Sequence, residues 1–147
     1  MKSNTDDYLK YWKVIRQYVK VKYELTQSDL DMLLFLYSEK YFDRAKFDEF
    51  DALLSWDKYR FESLRERGWI VAFRRRQLGN KAIYQLSVKS DYMIKSIYRK
   101  LRGEEIPVSA SQNKMFLKNV SYLDKIYQDM IRRMNAVIKQ QRHLSQK

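Results

Sequence analysis

Four cations beside one predicted turn carry the clearest chemical signal in the sequence. Arg74, Arg75 and Arg76 are consecutive, and Lys81 follows after a turn that contains Gly79. Arginine and lysine side chains bind phosphate groups by charge, and arginine adds paired hydrogen bonds. Side chains on a strand alternate between its two faces, so three consecutive arginines cannot all be buried. We interpret this cluster as a phosphate-binding surface; the alternative is a basic hairpin that contacts only water.

Other reactive side chains are scarce. The chain has no Cys and a single His, His143, which lies in a polar tail, so thiolate zinc sites, disulfides and histidine-based catalysis are not expected. Asp48, Glu49 and Asp51 could be read as metal ligands or as an acid and base pair, but we predict a solvated helix face. The 12 tyrosines recur at core spacing rather than on a base-stacking surface. We predict no enzyme activity, no metal and no cofactor.

Length and charge limit the class of protein. The chain has 147 residues, 45% of them hydrophobic, and a formal charge of +12, which predicts one globular domain with a polyanionic partner. No apolar run reaches the length of a membrane span, and Asp6 and Asp7 interrupt the start of the chain. We therefore expect a cytoplasmic protein without a membrane role.

Two helices are predicted before the basic region. The first occupies the N-terminal region 1–24 and begins at a Thr5 cap. Its apolar residues recur at helical spacing: Tyr8, Trp12, Ile15 and Val19. The second begins at Thr26, where Asp29 completes a capping box and Leu25 packs on Leu30. Residues 30–37 are almost wholly apolar and predict a buried helix.

A helix-turn-helix and a hairpin are predicted next. A short helix of about nine residues has an apolar face formed by Phe47, Phe50, Leu53 and Leu54. Ser55 caps a second helix over residues 56–67, which ends at Gly68. After Gly68 the apolar residues recur at every second position, which predicts a β-hairpin with Gly79 and Asn80 at its tip. Ser90 is predicted to cap a further helix over residues 91–102.

The end of the chain predicts one long helix. Residues 103–112 form a linker around the only Pro, and residues 113–142 carry a heptad seam made of Phe116, Val120, Leu123, Tyr127, Met130, Met134 and Val137. Such a seam needs a partner helix. The first helix of the same chain or of a second chain could supply it.

The positive charge is concentrated in the middle of the chain. Residues 1–57 hold 9 basic and 11 acidic side chains, whereas residues 58–102 hold 13 basic and 3 acidic ones. We expect the fold to collect these cations on one surface shaped for a polyanion.

In three segments the chain resembles the MarR-like winged helix-turn-helix proteins. The segments are Leu25-Thr26, Leu64-Arg65-Glu66-Arg67-Gly68-Trp69-Ile70 and Tyr84-Gln85-Leu86-Ser87. The resemblance covers residues 8–101 and implies a mainly α fold with a small β-hairpin wing, in a single domain over residues 1–147. It also implies a homodimer whose first and last helices intertwine, a recognition helix in the major groove, and a basic wing tip on the minor groove or the backbone.

The resemblance assigns roles to individual residues. The DNA-binding set is Lys58, Tyr59, Ser63, Arg65, Arg74, Arg75, Arg76 and Lys81. The dimer-interface set is Trp12, Ile15, Val19, Phe116, Val120, Leu123, Tyr127, Met130, Met134 and Val137. Two residues depart from the pattern, because Glu62 places a carboxylate on the expected groove face and Trp56 is bulky for the start of an inserted helix.

Two functions follow from these observations. The first is a transcriptional regulator that binds double-stranded DNA as a homodimer, and the sequence leaves open whether a small-molecule effector occupies the dimer cleft. The second is a non-catalytic structural or assembly protein, such as one from a virus with an AT-rich genome, that uses the same scaffold to contact other proteins.

Overall fold

The chain is mainly helical, with one small antiparallel hairpin, in a computed structural model that describes residues 8–54 and 59–145. The helices are α1 (Tyr8–Tyr23), α2 (Gln27–Tyr37), α3 (Arg44–Leu54), α4 (Arg60–Glu66), α5 (Val88–Leu101) and α6 (Tyr122–Ser145). The strands are β1 (Ile70–Arg74) and β2 (Ile83–Leu86). Contacts divide the chain into two compact units, one formed by Leu25–Lys95 and the other by the residues on either side of it.

The unit Leu25–Lys95 is built on α2. Thr26 caps this helix, its hydroxyl accepting from the Asp29 N–H at 3.0 Å while the Asp29 carboxylate accepts from the Thr26 N–H at 3.2 Å. The predicted capping box is therefore confirmed. The predicted buried helix is also confirmed, with a core face formed by Leu30, Met32, Leu33 and Leu36.

Helix α3 covers most of its predicted apolar face. Phe47 is buried and Phe50 and Leu54 are half-buried, as expected, but Leu53 is exposed and Asp51 is buried. The interpretation of Asp51 as a solvated residue is therefore wrong, because Asp51 faces a cation on α4, whereas Asp48 and Glu49 do face solvent. Before α3, Phe42 forms a single antiparallel bridge with Tyr84 on β2.

The hairpin follows α4 directly. Gly68 adopts φ +82° after the last turn of α4, a conformation that glycine adopts without strain, and the chain then enters β1. Ile70 pairs with Leu86 and Val71 pairs with Gln85. In β1 Ile70 is buried and the four residues after it are exposed, while the four residues of β2 are half-buried, so the hairpin contacts the core mainly at its base.

Helix α5 begins earlier than predicted. The Ser87 hydroxyl accepts from the Ser90 N–H at 3.2 Å, so Ser87 holds the first turn. Ser90, the predicted cap, is buried and donates instead to the Trp69 carbonyl at 2.7 Å. Two serines three residues apart are both able to cap, and only the fold decides between them.

The other unit packs α1 against α6. Ile15 and Val19 on α1 are buried, and the buried apolar residues of α6 are Tyr127, Ile131, Met134 and Ile138. The same chain therefore supplies the partner helix that the seam required. The seam itself runs through Ile131 and Ile138 rather than Met130 and Val137.

The predicted start of the closing helix at residue 113 is wrong. Asn113 caps only a 3₁₀ turn at Lys114–Phe116, and Asn119 adopts φ +63°, which interrupts any helix there. Helix α6 begins after Ser121, whose hydroxyl accepts from the Asp124 N–H at 3.1 Å. Phe116 and Val120 continue the apolar spacing without belonging to α6.

An amide side chain fixes the segment between α5 and α6. The Asn135 Nδ2 donates to the Ile106 carbonyl at 2.8 Å, and the Asn135 Oδ1 accepts from the Ile106 N–H at 3.0 Å. Both residues are buried. The Asn135 side chain thus gives the Ile106 backbone the two hydrogen bonds that a neighbouring strand would give.

Replacing Asn135 with alanine is expected to lower the free energy of unfolding by about 2 kcal/mol or more, since two buried backbone groups lose their partners. Urea unfolding followed by circular dichroism measures this change. Gln140→Ala on the exposed side of α6 is the control and should change stability little. Equal stabilities for the two variants would show that the amide contributes nothing.

Candidate nucleic-acid interface

The four predicted phosphate-binding residues of the hairpin all lie at its far end. Arg74 closes β1, Arg75 and Arg76 follow it, and Lys81 precedes β2. All four side chains are exposed. We call them the hairpin cations. No acidic residue occurs anywhere from residue 67 to residue 90, so the charge of the hairpin is not compensated along the chain.

The backbone holds this end of the hairpin in a defined shape. Ala72 pairs with Tyr84 but Arg74 pairs with Ile83, so Phe73 is an extra residue that bulges β1. The Arg74 Nη2 donates across the hairpin to the Lys81 carbonyl at 3.3 Å. The bulge therefore ends regular pairing just where the cations begin.

The turn is closed by two backbone hydrogen bonds. The Gln77 N–H donates to the Asn80 carbonyl at 3.2 Å, and the Asn80 N–H donates to the Gln77 carbonyl at 2.8 Å. Gly79 adopts φ +77°, whereas Asn80 does not adopt a positive φ. The tip is thus Leu78-Gly79 rather than the predicted Gly79-Asn80, and glycine takes the position that needs a positive φ.

Helix α4 presents the remaining predicted DNA contacts. Tyr59 at its start is 67% exposed, and the Arg65 guanidinium lies 5.3 Å from the centre of the Tyr84 ring on β2. Ser63 is half-buried, its hydroxyl accepting from the Arg67 Nε at 3.1 Å. Arg65 therefore lies beside the base of the hairpin, while Ser63 is engaged by its own helix.

Lys58 and Trp56 lie outside the described residues, as do the Ser55 cap and the predicted first turn of this helix.

Glu62 is balanced by two cations. Its carboxylate lies 3.8 Å from the Arg44 Nη1 and 3.5 Å from the Arg65 Nη1. Glu66, also on α4, is exposed. The outward side of α4 therefore carries both signs of charge, and the concentrated positive charge of this unit belongs to the hairpin.

A buried ion network sets the position of α4. The Arg60 Nη1 lies 3.3 Å from Asp29 on α2, and the Arg60 Nε lies 3.2 Å from Asp51 on α3. The Arg67 Nη2 contacts the second Asp29 oxygen at 3.0 Å. These four residues join the three helices of this unit that precede the hairpin. Sequence reasoning missed the network, because nothing in the spacing pairs an acid on one helix with a cation on another.

Several other cations of residues 58–102 are engaged within the protein. Arg60 and Lys100 are buried. The Lys89 Nζ donates to the Arg67 carbonyl at 3.0 Å and lies 3.9 Å from the Trp69 ring centre. The expectation that all cations of this region gather on one surface is therefore wrong, because folding uses some of them as internal partners.

Ion pairs shift the pKa of Lys95 and the pKa of Glu104. The hydrogen bond from the Lys95 Nζ to Asp91, at 2.8 Å, raises the pKa of Lys95. Burial raises the pKa of Glu104, but the hydrogen bonds and charges of Lys100 and Arg99 outweigh it, so the pKa of Glu104 lies below its usual range. These cations are paired with carboxylates, unlike the hairpin cations.

The predicted dimer residues divide into three groups by burial. Ile15, Val19, Tyr127 and Met134 are buried within one chain and belong to its core. Leu123 and Met130 are exposed, whereas the half-buried members of the set are Trp12, Phe116, Val120 and Val137.

No protein-family model, curated protein or solved structure matches this chain. Within residues 8–54 and 59–145, no group of three or more metal-binding side chains is placed to share an ion. No helix in that part of the chain has both the length and the apolar character needed to cross a membrane.

Proposed function

We propose that this protein binds double-stranded DNA as a winged helix-turn-helix transcriptional regulator. In this proposal α3 and α4 form the helix-turn-helix, and the hairpin β1–β2 is the wing. The observation that carries the proposal is the set of four exposed cations at the far end of a hairpin that lies in an acid-free stretch of 24 residues, from 67 to 90. Such a surface attracts the phosphates of a duplex.

The wing supplies most of the binding energy in this proposal. Phosphate contacts fix a protein on the duplex without reading its sequence, and base contacts add the specificity. Tyr59, just before α4, and Arg65 on α4 are exposed and would reach base edges in the major groove. They would lie beside Glu62, whose carboxylate is paired with Arg44 and Arg65. We therefore expect strong dependence on salt and modest dependence on sequence.

A salt titration of the protein on a fluorescent duplex tests the proposal. Each neutralised phosphate contributes about 0.9 to the slope of log K against log salt, so four contacts per chain predict a slope of about −3.6 or steeper. An affinity that is independent of salt would refute it.

The assembly alternative is favoured by the carboxylates of α4. Glu62 and Glu66 both lie on the exposed side of the helix that would enter the groove, and carboxylates repel the backbone there. Selection from a random pool of duplexes separates the two functions. A recovered motif supports a regulator, whereas salt-dependent binding without any motif, together with a stable protein partner, supports an assembly role.

We further propose that two copies pair through α6. Leu123, Met130, Val137 and Leu144 recur every seven residues and form what we call the α6 stripe, which is exposed except for a half-buried Val137. A repeat of this spacing suits a helix–helix contact. Asp129 and Arg133, joined at 2.9 Å, give α6 adjacent charges of both signs. A surface with both signs can be self-complementary about a two-fold axis, so a second copy fits it.

Met130→Glu is expected to convert a dimer into a monomer, because it places a charge in the middle of the α6 stripe. Multi-angle light scattering should give the mass of two 18.0 kDa chains for the wild type and of one chain for the variant. Lys125→Glu at another exposed position of α6 is the control and should remain a dimer. A monomeric wild type would refute pairing through α6 and leave DNA binding to single chains.

A further inference from the structure

Leu78 stands at the outermost turn of the basic hairpin. Its side chain is 103% exposed, the largest exposure among the exposed large hydrophobic residues of the described chain. Single exposed leucines are common on protein surfaces and need no explanation by themselves. Leu78 differs in its position, since it lies between Arg76 and Lys81 on the element that carries the hairpin cations.

The turn holds Leu78 in a fixed place. Two backbone hydrogen bonds between Gln77 and Asn80 close the turn around Leu78 and Gly79. Gly79 takes the positive φ, so Leu78 lies at the second position of the turn, where an L-residue is unstrained. The bond from Arg74 to the Lys81 carbonyl ties the two sides together just below. An apolar side chain is thus presented by a hydrogen-bonded turn and flanked by cations.

We propose that Leu78 is a wedge that enters the minor groove of a DNA duplex, partly unstacks one base step and bends the DNA. This inference rests on the proposed function. Proteins that bend DNA from the minor groove insert an apolar side chain between base pairs while neighbouring cations hold the phosphates. Leu78 has this chemistry, with the hairpin cations placed on both sides of it in the chain.

The proposal also defines the preferred DNA. Pyrimidine–purine steps such as TA and CA unstack most easily, so their deformation costs least. We expect Leu78 to favour duplexes with such a step at the position of the wing, without any hydrogen bond to a base. The preference would come from deformability and would therefore be lost with the leucine.

Two fluorescence measurements test the wedge. The first uses a duplex of about 30 base pairs with a fluorescent donor at one end and an acceptor at the other. Because this duplex is much shorter than the persistence length of DNA, it stays nearly straight unless the protein bends it. A second duplex carries 2-aminopurine beside a TA step and brightens when that step unstacks. The wild type should shorten the end-to-end distance and raise the 2-aminopurine signal several-fold.

Leu78→Ala should abolish both signals while leaving the salt slope unchanged, because the hairpin cations remain. Its affinity should fall by no more than about ten-fold, a small part of a binding energy that comes mainly from phosphate contacts. Leu9→Ala is the matched control, since Leu9 is also an exposed leucine but lies on α1, in the other unit of the chain. It should bend and unstack DNA as the wild type does.

Three results would overturn the wedge. If the wild type and Leu78→Ala bend DNA equally, the wedge proposal is wrong but the proposal of DNA binding stands. If the wild type does not bind duplexes, both the proposed function and the wedge proposal are wrong. Insertion of Leu78 into vesicles of phosphatidylcholine and phosphatidylserine, with no effect of the leucine on DNA, would assign the tip to an anionic membrane surface instead.

Discussion

Alanine at Arg74, Arg75 and Arg76 together should reduce the slope of log K against log salt by about 2.7, because three phosphate contacts are lost and each contributes about 0.9. If the salt-dependent part of the affinity vanishes near 1 M salt, the affinity at 0.1 M falls by about 10²- to 10³-fold. The fold should change little, since all three side chains are exposed and only the exposed hydrogen bond from Arg74 to the Lys81 carbonyl is lost within the hairpin. Fluorescence anisotropy on a labelled duplex at four or five salt concentrations gives both quantities.

The matched control removes the same charge from the other unit of the chain. Lys13, Lys118 and Lys125 are exposed there, and their triple alanine variant has the same net charge as the arginine variant. We expect the slope of this control to stay near that of the wild type. An equal loss in both variants would mean that net charge alone attracts DNA and that the hairpin is not the binding surface.

The element ends at Thr26 and Gly68 were predicted correctly from the sequence, because the cap and the terminator found there act locally. The capping box at Thr26 needs only residues three apart, and the left-handed turn at Gly68 needs only a residue without a Cβ. The change of spacing from helical to alternating after Gly68 located the hairpin and its cations in the same way. Each of these features depends only on residues that lie within about one turn of it in the sequence.

The parts of the site that the sequence did not predict depend on distant partners. In the sequence, Asp51 cannot be distinguished from its solvated acidic neighbours on α3. It is buried only because Arg60 on α4 approaches it and forms an ion pair with it. The break before α6 depends on Asn119, which adopts a left-handed conformation in this fold although asparagine also occurs in helices. Leu78 carried no signal at all in the sequence, because its exposure follows from the tip of the turn falling one residue earlier than predicted.

Replacing Arg60 with methionine should lower the free energy of unfolding by about 3–5 kcal/mol, since it removes the cation between two buried carboxylates. Asp29 keeps Arg67 and the Thr26 N–H, but Asp51 loses its guanidinium partner in the network. Such a loss is a large part of the total stability of a typical domain, about 5–15 kcal/mol. Urea unfolding followed by circular dichroism measures it.

A double variant separates charge from shape. Arg60→Met with Asp51→Leu removes both members of one pair and leaves Asp29 with Arg67, so most of the lost stability should return. If the double variant is no more stable than the single one, the cost lies in packing and the interpretation as a charge network is wrong. Arg133→Met, which breaks an exposed pair with Asp129 on α6, is the control and should cost less than about 1 kcal/mol.

The same network connects stability to the proposed function. Arg60 begins α4 and joins it to α2 and α3, so the orientation of the residues that would read the groove depends on it. The hairpin cations do not belong to the network. At a temperature where Arg60→Met is still folded, we therefore expect sequence preference to weaken while the salt slope stays near that of the wild type, since phosphate contacts and base contacts come from different elements. A parallel loss of both would mean that the wing depends on α4 for its position.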